Sequence, residues 1–564
     1  MKTTIDAYIA EYTEQKMPPP WQTYTIQNRP GTGNMHAIQK VFEGDFEFDV
    51  LYHPTASAAA PPTSADLTTA IDKVTIEFGK KYLDILAPQA PFNKGGEQWT
   101  KFSQTLFSNL VGGIGYFHGE QLIDRSADPA YDEENEGFWL ETAESRAQNA
   151  QKMEGPYSLF TSIPSRPFFP RGFLWDEGFH LLAVVDWDPE LCMQILTSWF
   201  ETMDQDGWIP REQILGSEAR TKVPQEFQVQ YPHYANPPTL FMVIDALLAR
   251  VGSSPGEEVE KGQLKEWLKQ LYPLLQRHFA WYRRTQAGDL VSYERGDDLF
   301  SKKEGYRWRG RTPQHILTSG LDDYPRAQPP HPGELHLDLM SWMGLMARSM
   351  TSLAEFIGEA DDSKTYGKVA EAIERNTEDL HWSKEDKMFC DVTVDDYEDS
   401  VHVCHAGYIS LFPFMTGMLG PDSPRLGATL DLIADEERLW SPFGIRSLSK
   451  SDELYGTEEN YWRGPVWMNM NYLVVRQLLY IATTPGPQKA RATSMYSALR
   501  KNLVDTVYRG WSETGFAWEQ YNSETGQGQR TQHFTGWTSL IVKIMGMPDL
   551  SGGKAGQERV RDEL

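Results

Sequence analysis

Acidic side chains recur in this sequence inside loops that are rich in glycine, proline and aromatic residues. Hydrolysis of a glycosidic bond needs one carboxylic acid to protonate the leaving oxygen and a second carboxylate on the opposite face of the sugar. An apolar aromatic wall raises the pKa of a carboxyl group, so that the group can act as an acid near neutral pH. The candidates for such a pair are Asp176, Glu177, Asp322, Asp323, Glu334, Asp338 and Glu519. Residue type alone does not choose between them.

The sequence has five such groups of loops, and three of them contain these acids. They combine aromatic, proline, glycine and arginine residues over 164–180, 206–213, 319–326 with 334–338, 460–467, and 513–522 with 534–538. Tryptophan and tyrosine join a flat apolar face to a polar edge, and the chain contains 18 Trp and 25 Tyr. Sugars present both kinds of surface, so these loops suit a sugar-binding funnel. Core packing is the alternative, and most of the aromatic residues must serve it.

Several of the candidate acids have simpler structural explanations. Asp176 could be the N-cap of the helix that follows it, and Asp322 could cap a helix or a turn. Asp323 is a rival of Asp322 for the role of acid. Glu519 could form a salt bridge with an arginine of the barrel. These alternatives stay open at the level of the sequence.

Glu334 and Asp338 form a separate pair, spaced i, i+4. This spacing predicts that they share one face of a helix. Like charges at this spacing are destabilising, so the pair is expected to bind something.

No motif of another catalytic class is present. The chain contains no P-loop, no HExxH and no serine nucleophile elbow. The 13 His show no metal spacing, and the three Cys form no CxxC. Asp322-Asp323 lacks a further acid at position 326, which is Arg326, so a DDxxD metal–diphosphate motif is absent. We therefore expect neither a metal nor a cofactor.

Composition narrows the class of protein further. Of 564 residues, 40% are hydrophobic and 23% are charged, which is typical of a globular chain. The formal net charge of −26 argues against nucleic acid or an anionic membrane as a partner. No run of about 20 apolar residues predicts a membrane-spanning helix. For Cys192, Cys390 and Cys404, three buried free thiols are favoured over one disulfide, and no pairing can be assigned.

Helical patterns dominate beyond residue 98. They predict helices near 98–113, 177–204, 237–252, 260–285, 335–357, 363–380, 404–416, 426–436, 464–483, 487–507 and 535–546. Because no strand is predicted between them, a βα barrel is excluded. No repeat of 34–45 residues is visible, which disfavours a solenoid. The expected architecture is a closed double ring of helices with a funnel at one end.

The first hundred residues have a different pattern. Residues 36–52 alternate between apolar and polar residues, which predicts two short strands around a turn. Residues 53–64 have the composition of a linker, and Ser64 and Asp66 offer caps for a following helix.

The loops resemble those of glycoside hydrolase family 63, the family of the processing α-glucosidases I. The similar runs are Pro164–His180, Asp206–Gln213 with Gly216, Asn236–Thr239, Ser319–Arg326, Glu334–Asp338, Asn460–Trp467 and Phe534–Thr538. The resemblance implies a mainly α protein with an (α/α)6 barrel, the toroid, over 98–550. It makes residues 1–60 the remnant of a preceding β-sandwich domain and 61–97 a linker with a helix. Residues 551–564 would form a tail.

The resemblance also implies a reaction and its residues. An inverting exo-α-glucosidase would remove the terminal α-1,2-linked glucose from the triglucosylated N-glycan precursor (Glc3Man9GlcNAc2), with Asp322 as general acid and Glu519 as general base. Inversion predicts that these two carboxyl groups lie about 6.5–9.5 Å apart, which leaves room for a water. The expected substrate-binding residues are Arg171, Trp175, Asp176, Glu177, Glu334, Asp338, Trp462 and Arg463.

The expected setting is the lumen of the endoplasmic reticulum. The C-terminal sequence Arg561-Asp562-Glu563-Leu564 resembles lumenal retrieval signals. The resemblance implies a membrane-anchored natural form, although this chain lacks an import signal or anchor. Its expected partner is the glucosylated N-glycan of nascent glycoproteins, and it is expected to be a monomer. The rival hypotheses are a trehalase-like enzyme, a non-catalytic glycan-binding module and a structural toroid.

Overall fold

A computed structural model describes residues 38–51, 53, 56, 60–94, 96–125, 151–252, 258–293, 295 and 299–550. The chain divides into two compact units, Met1–Lys80 and Lys81–Leu564. The tail with the Arg561–Leu564 signal lies outside the described residues.

The first unit contains no strand among the residues that are described. Residues 38–51 are extended coil with a bend at 44–45, so the prediction of two strands in 36–52 is wrong for that stretch. Positions 36, 37 and 52 lie outside the residues that the structure describes. The apolar side chains of Ile38 and Val50 are 86% and 84% exposed. An isolated hairpin is marginally stable unless one face is covered, and alternation alone does not supply that cover.

A long helix, α1, spans Ser64–Ile85 and starts at a capping box. Asp66 Oδ2 accepts from the Thr63 backbone N–H at 2.9 Å, and Thr63 Oγ1 accepts from the Asp66 N–H at 3.2 Å. The predicted use of Asp66 is therefore correct, while the cap is Thr63 instead of Ser64.

The second unit is mainly helical. Its helices after α1 are α2 Glu97–Val111, α3 Leu174–Val184, α4 Pro189–Glu201, α5 Gly216–Arg220, α6 Leu240–Gly252, α7 Glu258–Thr285, α8 Leu337–Ile357, α9 Ala360–His381, α10 Tyr408–Met415, α11 Leu426–Ala434, α12 Met468–Thr483, α13 Lys489–Thr514 and α14 Ile541–Gly546. The helix predicted over 177–204 is two helices. Pro189 opens the second of them, and Asp188 caps it by accepting from the Leu191 N–H.

An inner ring of helices closes on itself. α3 contacts α6, α6 contacts α8, α8 contacts α10, and α10 contacts α12. α12 then contacts α14 and the 3-10 turn Trp537–Leu540 before it, and this turn packs against α3. Every residue of α3 is buried, which is the pattern of a helix inside a core.

An outer layer of helices surrounds this ring. α2, α4, α7, α9, α11 and α13 alternate with the inner helices along the chain, and each contacts an inner neighbour. The predicted mainly α fold, an (α/α)6 toroid, is confirmed.

Strands do occur between the helices, against expectation. Within the described residues they form antiparallel pairs: β1 Gly115–Asp124 with β2 Gln151–Thr161, β3 Gly172–Phe173 with β4 Glu212–Gln213, β5 Trp382–Ser383 with β6 Met388–Phe389, β7 Asp391–Val394 with β8 Ser400–Val403, β9 Trp440–Ser441 with β10 Gly444–Ile445, and β11 Trp518–Tyr521 with β12 Gly528–Gln532. Most are too short to produce a visible period of two in the sequence. The β5–β6, β7–β8, β9–β10 and β11–β12 pairs are local hairpins, whereas β3–β4 joins two segments that are distant in the sequence.

The cysteines also depart from expectation. Cys390 and Cys404 form a disulfide, so the preference for three free thiols is wrong, and Cys192 is a buried free thiol. The reason is the register of the β7–β8 hairpin. Asp391 pairs with Val403, which places the two flanking cysteines opposite each other.

None of the described helices combines the length and the hydropathy that a membrane crossing requires.

Candidate active site

The loop that carries Asp322 is held in place by its neighbours on both sides. A 3-10 turn ends at Gly320, whose φ of 75° is left-handed, and a Cβ there would lie 2.7 Å from the Trp175 ring. The Asp322 carbonyl accepts from the Ile316 N–H at 2.9 Å. The Asp323 carboxylate accepts from the Trp462 N–H at 2.6 Å. This loop is therefore tied to the loop at 460–467.

Asp322 has a half-buried carboxyl group that accepts no hydrogen bond from any described residue. Desolvation raises its pKa to about 8. Arg211 opposes this increase, while Asp323, Glu212 and Glu519 add to it. Asp322 is therefore largely protonated at neutral pH, as a general acid requires.

Asp323, the rival acid, has both carboxylate oxygens engaged. One accepts from the Tyr461 N–H at 2.9 Å and the other from the Trp462 N–H. Asp323 thus fixes the loop at 460–467 through two backbone N–H groups.

Glu519 lies buried in β11. Its Oε1 accepts from the Tyr461 hydroxyl, and its Oε2 accepts from the Thr531 N–H at 3.2 Å. Burial raises the pKa of Glu519, while these hydrogen bonds and the charge of Arg530 oppose that increase. Among the described residues it forms no ion pair within 4 Å, so the salt-bridge alternative is wrong within that part of the chain.

Asp176 is the third carboxyl group of this cluster. α3 begins at Leu174 with Phe173 as its N-cap and no side-chain cap, so the capping interpretation of Asp176 is wrong. Its Oδ2 is buried and has no partner in the described part of the chain. Desolvation raises its pKa well above the ordinary value, and the charge of Glu519 adds to the shift. A buried, unpartnered carboxyl oxygen is a suitable partner for a sugar hydroxyl.

Electrostatic coupling indicates that the carboxyl groups belong to one site. Glu519 contributes to the raised pKa of both Asp322 and Asp176. The predicted separation of Asp322 and Glu519 stays a prediction.

Aromatic side chains pack beside these carboxyl groups. The Trp175 ring lies 5.4 Å from Trp537 and 6.1 Å from Trp462, between centroids. Trp462 stacks on Trp467 at 3.8 Å, and the indole N–H of Trp462 has no partner within the described chain. Apolar rings beside a carboxyl group favour its neutral form.

Arg171 lies next to the site through the β3–β4 pair. Its Nε donates to Glu212 Oε2 at 2.9 Å, and its Nη2 forms an ion pair with the same oxygen at 2.8 Å. The guanidinium carbon lies 4.6 Å from the centre of the Phe173 ring. Glu212 also pairs with Arg211. Glu212 and Arg211 were not singled out from the sequence, although both stand in one of the five loops.

Two expected sugar ligands have their polar atoms engaged elsewhere. Glu177 accepts from the Ser162 hydroxyl at 2.6 Å and lies 3.1 Å from His180 Nδ1. Arg463 donates to the Asp323 carbonyl at 2.8 Å and pairs with Glu458. Their role in binding sugar stays a prediction, and these contacts favour a structural role.

Glu334 and Asp338 do not share a helix face. α8 begins at Leu337, so Glu334 precedes it and that prediction is wrong. Each acid instead binds an arginine: Glu334 lies 3.3 Å from Arg311, and Asp338 lies 2.7 Å from Arg326. The expectation that they bind something is thus met by internal cations.

The surroundings of Glu334 and Arg326 complete this second group. Burial by itself would raise the pKa of Glu334, but His336 and Arg311 bring it down to about 2. Arg326 also binds Asp391 at 2.7 Å, and Asp391 accepts from the Leu337 N–H at the start of α8.

One group of described side chains has the spacing of a metal site. It consists of Asp386, Cys390 and Cys404, which lie within 4.8 Å of one another. The two sulfurs form the disulfide, so they are not the thiolates that bind metals.

Comparison with known proteins places the chain in a family. Residues 62–547 match the profile of the glycosyl hydrolase family 63 C-terminal domain. The chain is 46% identical over 559 residues to the probable mannosyl-oligosaccharide glucosidase of Schizosaccharomyces pombe, covering 94% of this chain and 68% of the relative. It is 40% identical to the mannosyl-oligosaccharide glucosidase of Saccharomyces cerevisiae, covering 91% of this chain and 66% of that relative. The chain therefore spans about two thirds of the length of these relatives.

A solved structure shares the fold. The family 63 mannosylglycerate hydrolase of Thermus thermophilus, in complex with Tris and D-glycerate, matches with a TM-score of 0.50 at 17% identity, over 68% of this chain and 95% of that one. On the family profile and the identity to the two yeast relatives, the chain belongs to glycosyl hydrolase family 63.

Proposed function

We propose that this chain is an inverting exo-α-glucosidase that removes the terminal α-1,2-linked glucose from the triglucosylated N-glycan precursor. Its two yeast relatives are a probable mannosyl-oligosaccharide glucosidase and a mannosyl-oligosaccharide glucosidase. The observation that carries the proposal is the half-buried carboxyl group of Asp322. It has a pKa of about 8 and is coupled to Glu519 in one cluster.

The general acid of the proposed reaction is Asp322. Its proton passes to the glycosidic oxygen as the bond between that oxygen and the anomeric carbon breaks. The remaining glycan leaves as an alcohol, and Asp322 becomes a carboxylate. Desolvation keeps Asp322 protonated before this step, so the proton is present when the glycosidic bond breaks.

The general base is Glu519. A water attacks the anomeric carbon from the opposite face of the sugar, and Glu519 takes a proton from that water. The α-linked glucose therefore leaves as β-glucose. The hydrogen bonds from Tyr461 and Thr531 favour the ionised form that the base needs.

The remaining residues are proposed to hold the glucose. Asp176 offers a buried, unpartnered oxygen to a hydroxyl group, and Trp462 offers an indole N–H that has no partner among the described residues. Trp175 is proposed to form part of the wall of the pocket, where its ring lies 5.4 Å from that of Trp537. Arg171 Nη1 is also buried without a partner among the described residues. Asp176, Arg171 and Trp462 thus each have a polar atom without a partner among the described residues.

The proposed setting is the lumen of the endoplasmic reticulum, with glucosylated glycoproteins as partners and a monomeric chain. Disulfides such as Cys390–Cys404 persist in oxidising compartments, which supports a secretory location. The identity to the glycan-processing relatives supports the same location.

The test is release of glucose from the α-1,2-linked terminal trisaccharide, with the nascent anomer followed by NMR. Parent, Asp322→Asn and Glu519→Gln are compared, with Asp505→Asn as a carboxylate control on the exposed face of α13. We expect β-glucose from the parent and the control only. Initial release of α-glucose would overturn inversion, and release from trehalose alone would indicate a trehalase-like enzyme. Tight glycan binding without release would indicate a binding module.

A further inference from the structure

Tyr461 contacts both the loop that carries Asp322 and the side chain of Glu519 in β11. Its backbone N–H donates to Asp323 Oδ2 at 2.9 Å, next to Asp322. Its side-chain hydroxyl donates to Glu519 Oε1. One residue therefore contacts the loop of the proposed acid through its backbone and the proposed base through its side chain.

We propose that Tyr461 is a positioning residue that sets the placement of the acid loop and of the Glu519 carboxylate relative to each other. The inference rests on the proposed function, because it assigns Tyr461 a role through Asp322 and Glu519.

The position of Tyr461 is itself strongly determined. The Trp467 indole N–H donates to the Tyr461 carbonyl at 3.1 Å, and the Trp467 ring lies edge-on to the Tyr461 ring at 4.9 Å. The Arg530 guanidinium lies 5.5 Å from the centre of the same ring. Contacts to its backbone and to its ring therefore fix the position of Tyr461. A fixed tyrosine hydroxyl in turn fixes the orientation of the carboxylate that it contacts.

The orientation of the hydrogen bond matters for the chemistry. Burial keeps the pKa of Tyr461 well above its ordinary value, and Glu519 adds to that shift. The hydroxyl therefore remains a donor, and it stabilises the ionised form of Glu519. The same bond restricts rotation of the Glu519 side chain, so the second carboxylate oxygen keeps one direction.

Other charged groups also face Glu519 and must be considered in any pH experiment. They are Arg530 on β12, Asp176 on α3 and Asp322 on the acid loop. Arg530 lowers the pKa of Glu519. The two aspartates are coupled to Glu519. The apparent pKa values measured from a pH–rate profile therefore belong to the cluster as a whole.

The test is Tyr461→Phe, which keeps the ring and removes only the hydroxyl. We expect kcat to fall about 10- to 100-fold, with KM changed less than about twofold. The acid limb of kcat/KM should move to higher pH by about one unit, because the ionised base loses a charge-assisted hydrogen bond. A lower kcat without this movement would overturn the proposal and leave Tyr461 a packing role. A raised KM with an unmoved limb would make it a sugar ligand instead.

Tyr455→Phe is the matched control. Its hydroxyl contacts Ser523 and the carboxylate of Glu524, at 2.8 and 3.0 Å, outside the cluster. We expect kcat within about twofold of the parent and an unmoved acid limb, since this hydroxyl touches neither proposed catalytic group.

Two further variants keep the test decisive. The double variant Tyr461→Phe/Glu519→Gln should be no slower than Glu519→Gln alone, because Tyr461 acts through Glu519; full additivity would overturn this.

If Tyr461→Phe does not fold, 3-fluorotyrosine at position 461 keeps the shape and strengthens the donor. The acid limb should then move to lower pH, and an unmoved limb would overturn the proposal. Activity that survives in Glu519→Gln would instead refute the assignment of Glu519 as the general base in the proposed function.

Discussion

Two groups of buried carboxyl groups differ in their partners. In the site cluster, Asp322, Asp176 and Glu519 form no ion pair within 4 Å with any described residue. In the second group, Glu334 pairs with Arg311 at 3.3 Å, while Asp338 and Asp391 each lie 2.7 Å from Arg326. Only four positions separate Asp322 from Arg326 in the same loop.

The pKa values of the two groups diverge accordingly. Desolvation raises the pKa of Asp322 to about 8. In the second group, burial would also raise the pKa of Glu334 and Asp391, but hydrogen bonds and cations reverse it. Glu334 falls to about 2, and Asp391 falls below its ordinary value. Burial raises the pKa of these carboxyl groups only where no cation pairs with them, so burial alone does not make an acid catalyst.

The largest effect that tests this difference is loss of catalysis in the site cluster. Asp322→Asn and Glu519→Gln should each lower kcat by about 10²- to 10⁴-fold, because each removes one proton transfer. The fold should persist, since neither change breaks an ion pair. Steady-state kinetics and thermal unfolding measure both effects. A residual kcat within tenfold of the parent would place the acid or base elsewhere.

The next effect is loss of stability in the second group. Arg326→Met leaves Asp338 and Asp391 buried without their cation, and should cost about 3–5 kcal/mol of unfolding free energy. The shift of the urea midpoint measures it.

Arg375→Met is the matched control for that substitution. This arginine pairs with Glu371 at a site where both side chains are more than half exposed. The change should be within about 1 kcal/mol. Equal midpoints for the two variants would contradict the structural role of Arg326.

The pH dependence of the reaction tests the raised pKa values of the site cluster without a mutation. A general acid must be protonated, so kcat/KM should fall about tenfold per unit as pH rises above the Asp322 pKa of about 8. A general base must be ionised, so activity is also lost as pH falls through the raised pKa of Glu519. A rate profile without the alkaline limb would remove Asp322 as the acid.

The smallest effect concerns an exposed carboxylate that belongs to neither group. Asp505 pairs with Lys501 at i, i+4 on α13, where both side chains are well exposed. Asp505→Asn should change unfolding free energy by at most about 0.5 kcal/mol and leave kcat unchanged. A larger loss would mean that exposure is a poor guide to the cost of losing a charge in this chain.

Much of the fold could be predicted because its signals are local. The pattern predicted α8 over 335–357 and α11 over 426–436, and the structure has them at Leu337–Ile357 and Leu426–Ala434. Some errors are local, such as the strands predicted in 36–52 that are absent from 38–51, and others concern pairing at a distance. The β3–β4 pair, for example, joins Phe173 to Glu212, a contact with no periodic signal in either segment.

The site, like the fold, could be predicted only in part from the sequence. The five loops contain Asp322, Asp176 and Glu519, and the resemblance selected Asp322 and Glu519 among seven candidate acids. Their local sequences do not reveal that the Asp323 carboxylate accepts hydrogen bonds from the backbone N–H groups of Tyr461 and Trp462. They also do not reveal the Tyr461 contact to Glu519, which spans 58 residues.

The sequence by itself determined the family, the helical ring and the loops that hold the acids, because those properties depend on local patterns and motifs. Only the tertiary structure decided which acids are paired with cations and which are not. Arg326 reaches Asp391 across 65 residues, and Asp323 reaches Trp462 across 139. The ionisation of a buried carboxyl group depends on the charges and donors within a few ångströms of it. In a closed ring of helices, those neighbours come from distant parts of the chain.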